Sequence, residues 1–456
     1  MQPACPRRYR GGMKFSKTIA VLAWSVAILC SAVSCGSDTK PQQADAQTVD
    51  ATIDAAIDAP PLPERTVGLG FSPFGASAAK SFGDWTFAWL PDADFVHIHT
   101  DDFLGVPWQL FETGSNPTLP ASWVASWDEL MVPAQQSQKP ILVSLGPLSD
   151  RSHLAPRVNA DGSITRDWDP TLVGVANATC YTFNEAGTAA HATAYVNYLL
   201  WLIDRYALKR LFIGTETDIY WYKCPAHKAD YKNFLTLVKA VLKRDRPTTQ
   251  VMMTFSLDYF DANGLGGSLN GCGATPLDEC RDARIDEALA MSPDGIGLSY
   301  YPQSYFPMAA TFPSDRIGKV RARTTPTSEI WITESGWTAV PVRLSYTPTC
   351  GEPFYADPVA NEAAQAAALQ TLLVDAEAAN VRGVTWWSSR DYLDPTTAAT
   401  CPCTGDAESC SRAASFGAAE FFYRAYANFG LWRYDGSARP ALTGWQAFRR
   451  RPLRWD

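Results

Sequence analysis

The strongest constraint on this chain is a pattern that recurs from Thr66 onward. A short apolar run is followed by a polar or glycine-rich loop and then by a stretch of helical character. Eight runs read as strands: Thr66 to Phe71, Phe95 to His99, Pro140 to Leu145, Arg210 to Gly214, Gln250 to Phe255, Gly295 to Ser299, Glu329 to Thr333 and Gly383 to Trp387. Amphipathic helices fit Ala189 to Tyr206, Tyr231 to Arg244 and Asn361 to Ala379. Continuous apolar strands suit a sheet covered on both faces, and strands alternating with helices imply parallel βαβ units. Eight units within residues 65–456 predict an α/β fold, a single (β/α)8 TIM barrel with long βα loops. A doubly wound sheet is the alternative, but no Gly-x-Gly-x-x-Gly turn follows the first strand.

The first 64 residues do not share the pattern. Met13-Lys14 and Lys17 form a basic start, Thr18 to Cys30 is apolar, and Ala32-Val33-Ser34-Cys35 is a small-residue site ending in cysteine. This resembles the lipobox of bacterial lipoproteins, with Ala32 where Leu is commonest. The resemblance implies lipidation at Cys35 and a place in the bacterial cell envelope, lipid-anchored to a membrane; an ordinary signal with secretion is the alternative. Met13 is then the expected start. Residues 36–64 are rich in Asp, Ala and Pro and too poor in apolar side chains to bury anything, so they read as a disordered acidic tether with a reach on the order of 30 Å.

Eleven cysteines agree with export: three lie in the leader, and Cys180, Cys224, Cys272, Cys280, Cys350, Cys401, Cys403 and Cys410 remain. An even number in an exported chain favours disulfides in the long loops, with Cys272 to Cys280 the most local pairing. A thiolate metal cluster at Cys401, Cys403 and Cys410 lacks zinc spacing. The net charge of -8 and pI near 5.3 argue against nucleic-acid binding, which needs a basic face.

Chemistry in such a barrel belongs at the C-terminal ends of strands. The fourth strand, in RLFIGTETDIYW, ends at Glu216, and the seventh, in EIWITESGW, ends at Glu334. Three βα steps separate them, so both carboxylates can enter one mouth. For either alone, a helix cap or a solvated loop is the plain alternative.

Glu216 and Glu334 so placed resemble the acid/base and the nucleophile of the retaining (β/α)8-barrel glycoside hydrolase clan. The sixth-strand segment DGIGLSYYP is similar to that of the endo-β-1,4-galactanase (arabinogalactan galactosidase) family, while TESGW also resembles the plant-type β-1,3-glucanase family. The closing NFGLWRYDGSARPALTGWQAF is like the final turn and helix of many clan members. The resemblance implies an endo-acting, retaining hydrolase for β-linked polysaccharide, monomeric, with no cofactor or metal. Tyr220, Trp221 and Trp337 would partly bury the proton donor. Strand parity and the resemblance favour Tyr301 over Tyr300 as the phenol on the nucleophile, and Trp387 as the floor of the sugar site, with Trp386 packing.

Two positions depart from the clan. Asn usually precedes the acid/base and binds the sugar 2-hydroxyl; here it is Thr215, whose hydroxyl has a shorter reach. On the second strand, where clan members often place arginine, stand His97 and His99, followed by Asp101 and Asp102. Alternate strand residues share a face, so both imidazoles could enter the mouth, binding sugar or orienting carboxylates. They could also ligate metal as in barrel amidohydrolases, or be satisfied in the core. A carbohydrate-binding pseudoenzyme is the further alternative, given Thr215. Trp108, Trp221, Tyr222, Tyr259, Tyr305 and Tyr392 lie in long loops where they could stack on sugar or simply pack.

Overall fold

The computed structural model describes residues 62–72, 87–101, 104–149, 151–165, 180–183, 188–260, 275–291, 294–302, 315–344, 355–357, 360–391 and 426–455. The leader with Cys35, the tether up to residue 61, and Asp102, Tyr305 and Tyr392 lie outside them, as do Cys272, Cys350, Cys401, Cys403 and Cys410.

Eight strands close into a barrel: β1 (Gly68–Phe71), β2 (Phe95–Asp101), β3 (Ile141–Leu145), β4 (Arg210–Phe212), β5 (Gln250–Ser256), β6 (Gly295–Tyr300), β7 (Glu329–Ser335) and β8 (Gly383–Trp386). Each pairs in parallel with its neighbours in chain order, and β8 closes on β1. The main helices around them are α1 (Ala121–Gln136), α2 (Thr188–Tyr206), α3 (Thr217–Lys223), α4 (Lys228–Asp245), α5 (Leu277–Met291), α6 (Arg316–Arg323), α7 (Glu362–Ala378) and α8 (Pro440–Arg449). All eight apolar runs became barrel strands. They are mostly apolar because one face meets the helices and the other fills the barrel.

The interior is layered. At the bottom, Phe95, Leu142, Phe212, Met252 and Trp331 form one cluster, with Trp455 of the C-terminal tail against it. Phe95 meets the Trp331 ring edge-on at 5.3 Å. Such large rings fit because β1 offers no side chains inward: a Cβ on Gly70 would stand 2.3 Å from the Phe95 ring, and one on Gly68 2.1 Å from Trp455. The next layer is small and polar. His97 bonds through Nδ1 to Thr385 Oγ1 at 3.0 Å and through Nε2 to Ser144 Oγ at 2.7 Å.

Above that layer, β7 departs from regular alternation. Its register against β6 runs Leu298 to Ile332 and then Ser299 to Glu334, so Thr333 is an extra residue. Without the bulge, Trp331 and Thr333 would face inward and Glu334 outward. With it, Glu334 takes the inward phase shared by Gly297 and Ser299.

A disulfide joins Cys180 to Cys224, at the C-terminal end of α3, across a sequence separation of 44. Cys280 is also disulfide-bonded. Closing a loop of that length removes unfolded-state entropy, so the double change Cys180→Ser/Cys224→Ser is expected to cost about 2 to 4 kcal/mol. A urea unfolding curve checks this, and a loss below about 0.5 kcal/mol would show that other contacts already constrain the segment.

Candidate active site

Glu216 stands just beyond β4 and caps the N-terminus of α3 with φ 42° and ψ 52°. A left-handed glutamate costs on the order of 1 kcal/mol or more, the kind of strain that persists where the surroundings over-determine it. Its own N–H donates to Thr254 Oγ1 of β5 at 2.7 Å. Its Oε2 accepts from Arg151 Nε at 3.1 Å and from Arg151 Nη2 at 2.9 Å.

Glu334 is 7% exposed and is held from two sides. Tyr301 Oη donates to its Oε2 at 3.2 Å, and His99 Nε2 lies 3.4 Å from its Oε1. Burial first, and then the Glu334 carboxylate, push the Tyr301 phenol well above its ordinary pKa, so it stays protonated and donates. The Glu216 charge raises the same phenol, so one tyrosine feels both carboxylates. Tyr301 is itself positioned from below, because its N–H donates to Asp258 Oδ2 at 2.7 Å. Removing only the phenol, Tyr301→Phe, keeps that backbone bond. It forfeits a hydrogen bond to a charged group, so kcat/KM is expected to fall about tenfold to a hundredfold with the melting curve little changed.

The two aspartates beyond β4 and β5 tie neighbouring strand ends together. Asp218 Oδ1 accepts from Ser256 N at 2.8 Å, as Asp258 does from Tyr301. Asp218 is fully enclosed, and burial, with the Glu216 charge adding to it, drives its carboxyl well above the usual range.

Trp387 borders the same mouth, its ring edge-on to His99 at 5.3 Å, and it clusters with Tyr301, Phe429 and Tyr426. Trp386, one residue earlier, is buried and donates to Phe429 O at 2.6 Å. Tyr300 faces away from Tyr301 into the main core. His97 lies a layer below His99 with both ring nitrogens on hydroxyls. Burial, with His99 adding to it, pushes its imidazole well below its ordinary pKa, so it is neutral. The structure thus brings His99 to the site and leaves His97 in the barrel core, and the two do not present paired nitrogens to one metal ion. Among the described residues no group of three or more His, Cys, Asp or Glu is arranged to hold a metal.

Other aromatic candidates are placed elsewhere. Trp221 is enclosed under α4, with Lys228 Nζ and Lys232 Nζ 5.1 and 5.4 Å from its ring centre. Trp337 is 2% exposed within the main core, and its carbonyl accepts from Gln365 Nε2 of α7. Trp108 is buried and donates to Ala155 O. Tyr222 and Tyr259 stack at 5.5 Å on the Glu216 side, and Glu216 adds to the burial that raises the Tyr259 phenol. Thr215 is 5% exposed, and its Oγ1 is sealed from solvent, 3.5 Å from where a Cβ on Gly146 would stand, with no partner among the described residues.

Arg151, Asp218, Asp258 and Tyr426 were missed by reading the sequence. The repeated pattern of an aspartate shortly past a strand, in TETDIY and SLDYF, is a signal for the two aspartates. Arg151 sits in a turn and Tyr426 at a helix end, and neither carries one.

No protein-family model matches the chain, and no curated protein matches it. Among solved structures it is similar to a β-D-glucuronidase of Dictyoglomus thermophilum, at 12% identity over 86% of this chain and 52% of that one, with a TM-score of 0.46. It is similar to the exo-β-1,4-mannosidase Op5Man5 from Opitutaceae bacterium strain TAV5 at 14% identity, over 85% of this chain and 60% of that one, with a TM-score of 0.48. A GH5_18 protein from Bifidobacterium longum subsp. longum matches at 13% identity, over 86% of this chain and 81% of that one, also with a TM-score of 0.48. The chain thus spans between half and two thirds of the length of the glucuronidase and the mannosidase.

Proposed function

We propose that this protein is a glycoside hydrolase that cleaves β-linked glycans with retention of configuration, using Glu216 as acid/base and Glu334 as nucleophile. The observation that carries the reading is the inward turn of Glu334 at the β7 bulge, onto Tyr301 and His99, in the mouth that Glu216 also enters. In the first half of the reaction Glu216 gives its proton to the glycosidic oxygen while Glu334 attacks the anomeric carbon. The bond to the leaving sugar breaks as the glycosyl-Glu334 ester forms. In the second half water attacks the same carbon, Glu216 takes its proton, and Glu334 is released. Tyr301 and His99 hold the nucleophile, and Trp387 offers its ring to the sugar being cleaved.

A binding-only protein has one observation in its favour. Contacts to the sugar 2-hydroxyl contribute to several kcal/mol of stabilisation in this reaction, and the Thr215 hydroxyl is sealed from solvent. The reading is tested with a panel of β-galactans, glucans, mannans, xylans and β-glucuronides, with Glu334→Ala as control. Turnover of at least one member that vanishes in the variant supports hydrolysis; binding without cleavage selects the binding reading. The lipobox reading adds an envelope location through Cys35, tested by loss of membrane association in Cys35→Ser.

A further inference from the structure

We propose that Arg151 is the positioning residue of the proton donor, holding the Glu216 carboxyl by a single oxygen so that it can serve in turn as acid and as base. This rests on the retaining reaction proposed above.

Two guanidinium nitrogens, Nε at 3.1 Å and Nη2 at 2.9 Å, converge on Glu216 Oε2. The side chains are 16% and 12% exposed, so the pair lies where water screens it poorly. Its two backbones are both unusual. Arg151 has φ 55° and Glu216 φ 42°, and neither is glycine. Each conformation costs on the order of 1 kcal/mol or more, and the two strained residues meet at this contact.

The loop of Arg151 and the helix of Glu216 are also braced to each other. Arg151 sits in a turn closed by Ser152 N to Ser149 O at 3.0 Å. Ser152 O accepts from Tyr181 N at 2.7 Å, and Tyr181 O accepts from Tyr220 Oη of α3 at 2.6 Å. Next to Tyr181, Cys180 is bonded to Cys224 at the other end of α3. Residues 180 and 181 therefore fix the distance between the arginine turn and the helix that begins after Glu216.

The chemistry gives this contact a direction. A cation beside a carboxyl favours the ionised form. It stabilises the carboxylate that forms as the proton leaves for the glycosidic oxygen, and it keeps Glu216 ready as the base for the attacking water. The cost is that fewer molecules hold the proton at high pH, which limits the first half of the reaction there.

The test is Arg151→Gln beside Arg151→Lys. With Arg151→Gln, the basic limb of the kcat/KM profile is expected to move up by about one pH unit or more, and Arg151→Lys, which keeps the charge, to move it back toward wild type. A limb that stays in place while kcat falls equally at all pH values overturns the proposal, since that is what a merely structural arginine would do. A second readout needs no turnover. In protein labelled at glutamate 13Cδ, the Glu216 signal is identified by its loss in Glu216→Gln, and its titration midpoint should rise in Arg151→Gln. If the wild-type protein hydrolyses no glycoside, the proposed reaction falls and this titration alone decides for Arg151: an unmoved midpoint overturns its role.

Discussion

Replacing Glu334 with alanine is expected to lower turnover of the best glycan substrate by more than about ten-thousandfold, on the order of 5 kcal/mol of transition-state stabilisation. The loss is large because no other described group can take its place. Tyr301 and His99 both face the Glu334 carboxylate, and once it is gone both lose that contact and nothing they offer can attack the anomeric carbon in its place. The substitution should not unfold the protein, because Glu334 is attached to the β7 bulge by backbone pairing with Ser299 and not by its side chain. Equal loss of activity and of melting temperature would mean instead that the carboxylate is a structural strut. An added small nucleophile such as azide, entering the space of the missing side chain, should partly restore turnover.

Arg439→Met is expected to destabilise the fold by about 3 to 5 kcal/mol, the usual result of removing one partner of a buried ion pair. Arg439 Nη1 and Nη2 donate to Asp391 Oδ1 and Oδ2 at 2.7 and 2.6 Å, and the two side chains are 1% and 0% exposed. Gly430 N adds a third donor to Asp391 at 3.0 Å, and Arg439 Nη1 also reaches Gly430 O at 2.8 Å. These bonds fasten the loop beyond β8 to the segment that leads into α8. That segment carries Phe429, which packs on Tyr301 and supplies the carbonyl for Trp386. Without the guanidinium, Asp391 stays enclosed but loses the cation that holds its carboxyl down; burial already raises that carboxyl to about 7 and then drives it further toward the protonated form. The double change Asp391→Leu/Arg439→Met removes both charges and should recover most of the loss. Urea midpoints for the three proteins check this, and a single-variant cost under about 1 kcal/mol would show that water reaches the pair.

Much of the framework was legible because the barrel's strands are apolar on both faces and punctuated by loops. Parity also worked where strands are regular: Tyr301, not Tyr300, is on the Glu334 carboxylate. It failed to foresee the bulge at Thr333, because one extra residue leaves no trace in an apolar run and only the pairing with β6 reveals it. Histidine spacing put His97 and His99 on one face, which is correct, but depth along the strand separates them by a layer. His97 is satisfied by Thr385 and Ser144, contributed by strands distant in the chain. Thr215 precedes Glu216 and Trp221 follows it within α3, yet the Thr215 hydroxyl is sealed from solvent and Trp221 is enclosed beside Lys228 and Lys232, which only tertiary packing decides. Arg151 was invisible for the opposite reason, since its loop reaches Glu216 only through tertiary bracing at Tyr181 and Cys180.

The most direct measurement of the central claim is the anomer released first, followed by 1H NMR during hydrolysis of a β-linked substrate. A two-carboxylate displacement through Glu334 predicts that the β-anomer appears first and mutarotates later, and that the signal is absent in Glu334→Ala. Initial release of the α-anomer, or release undiminished in Glu334→Ala, would contradict it.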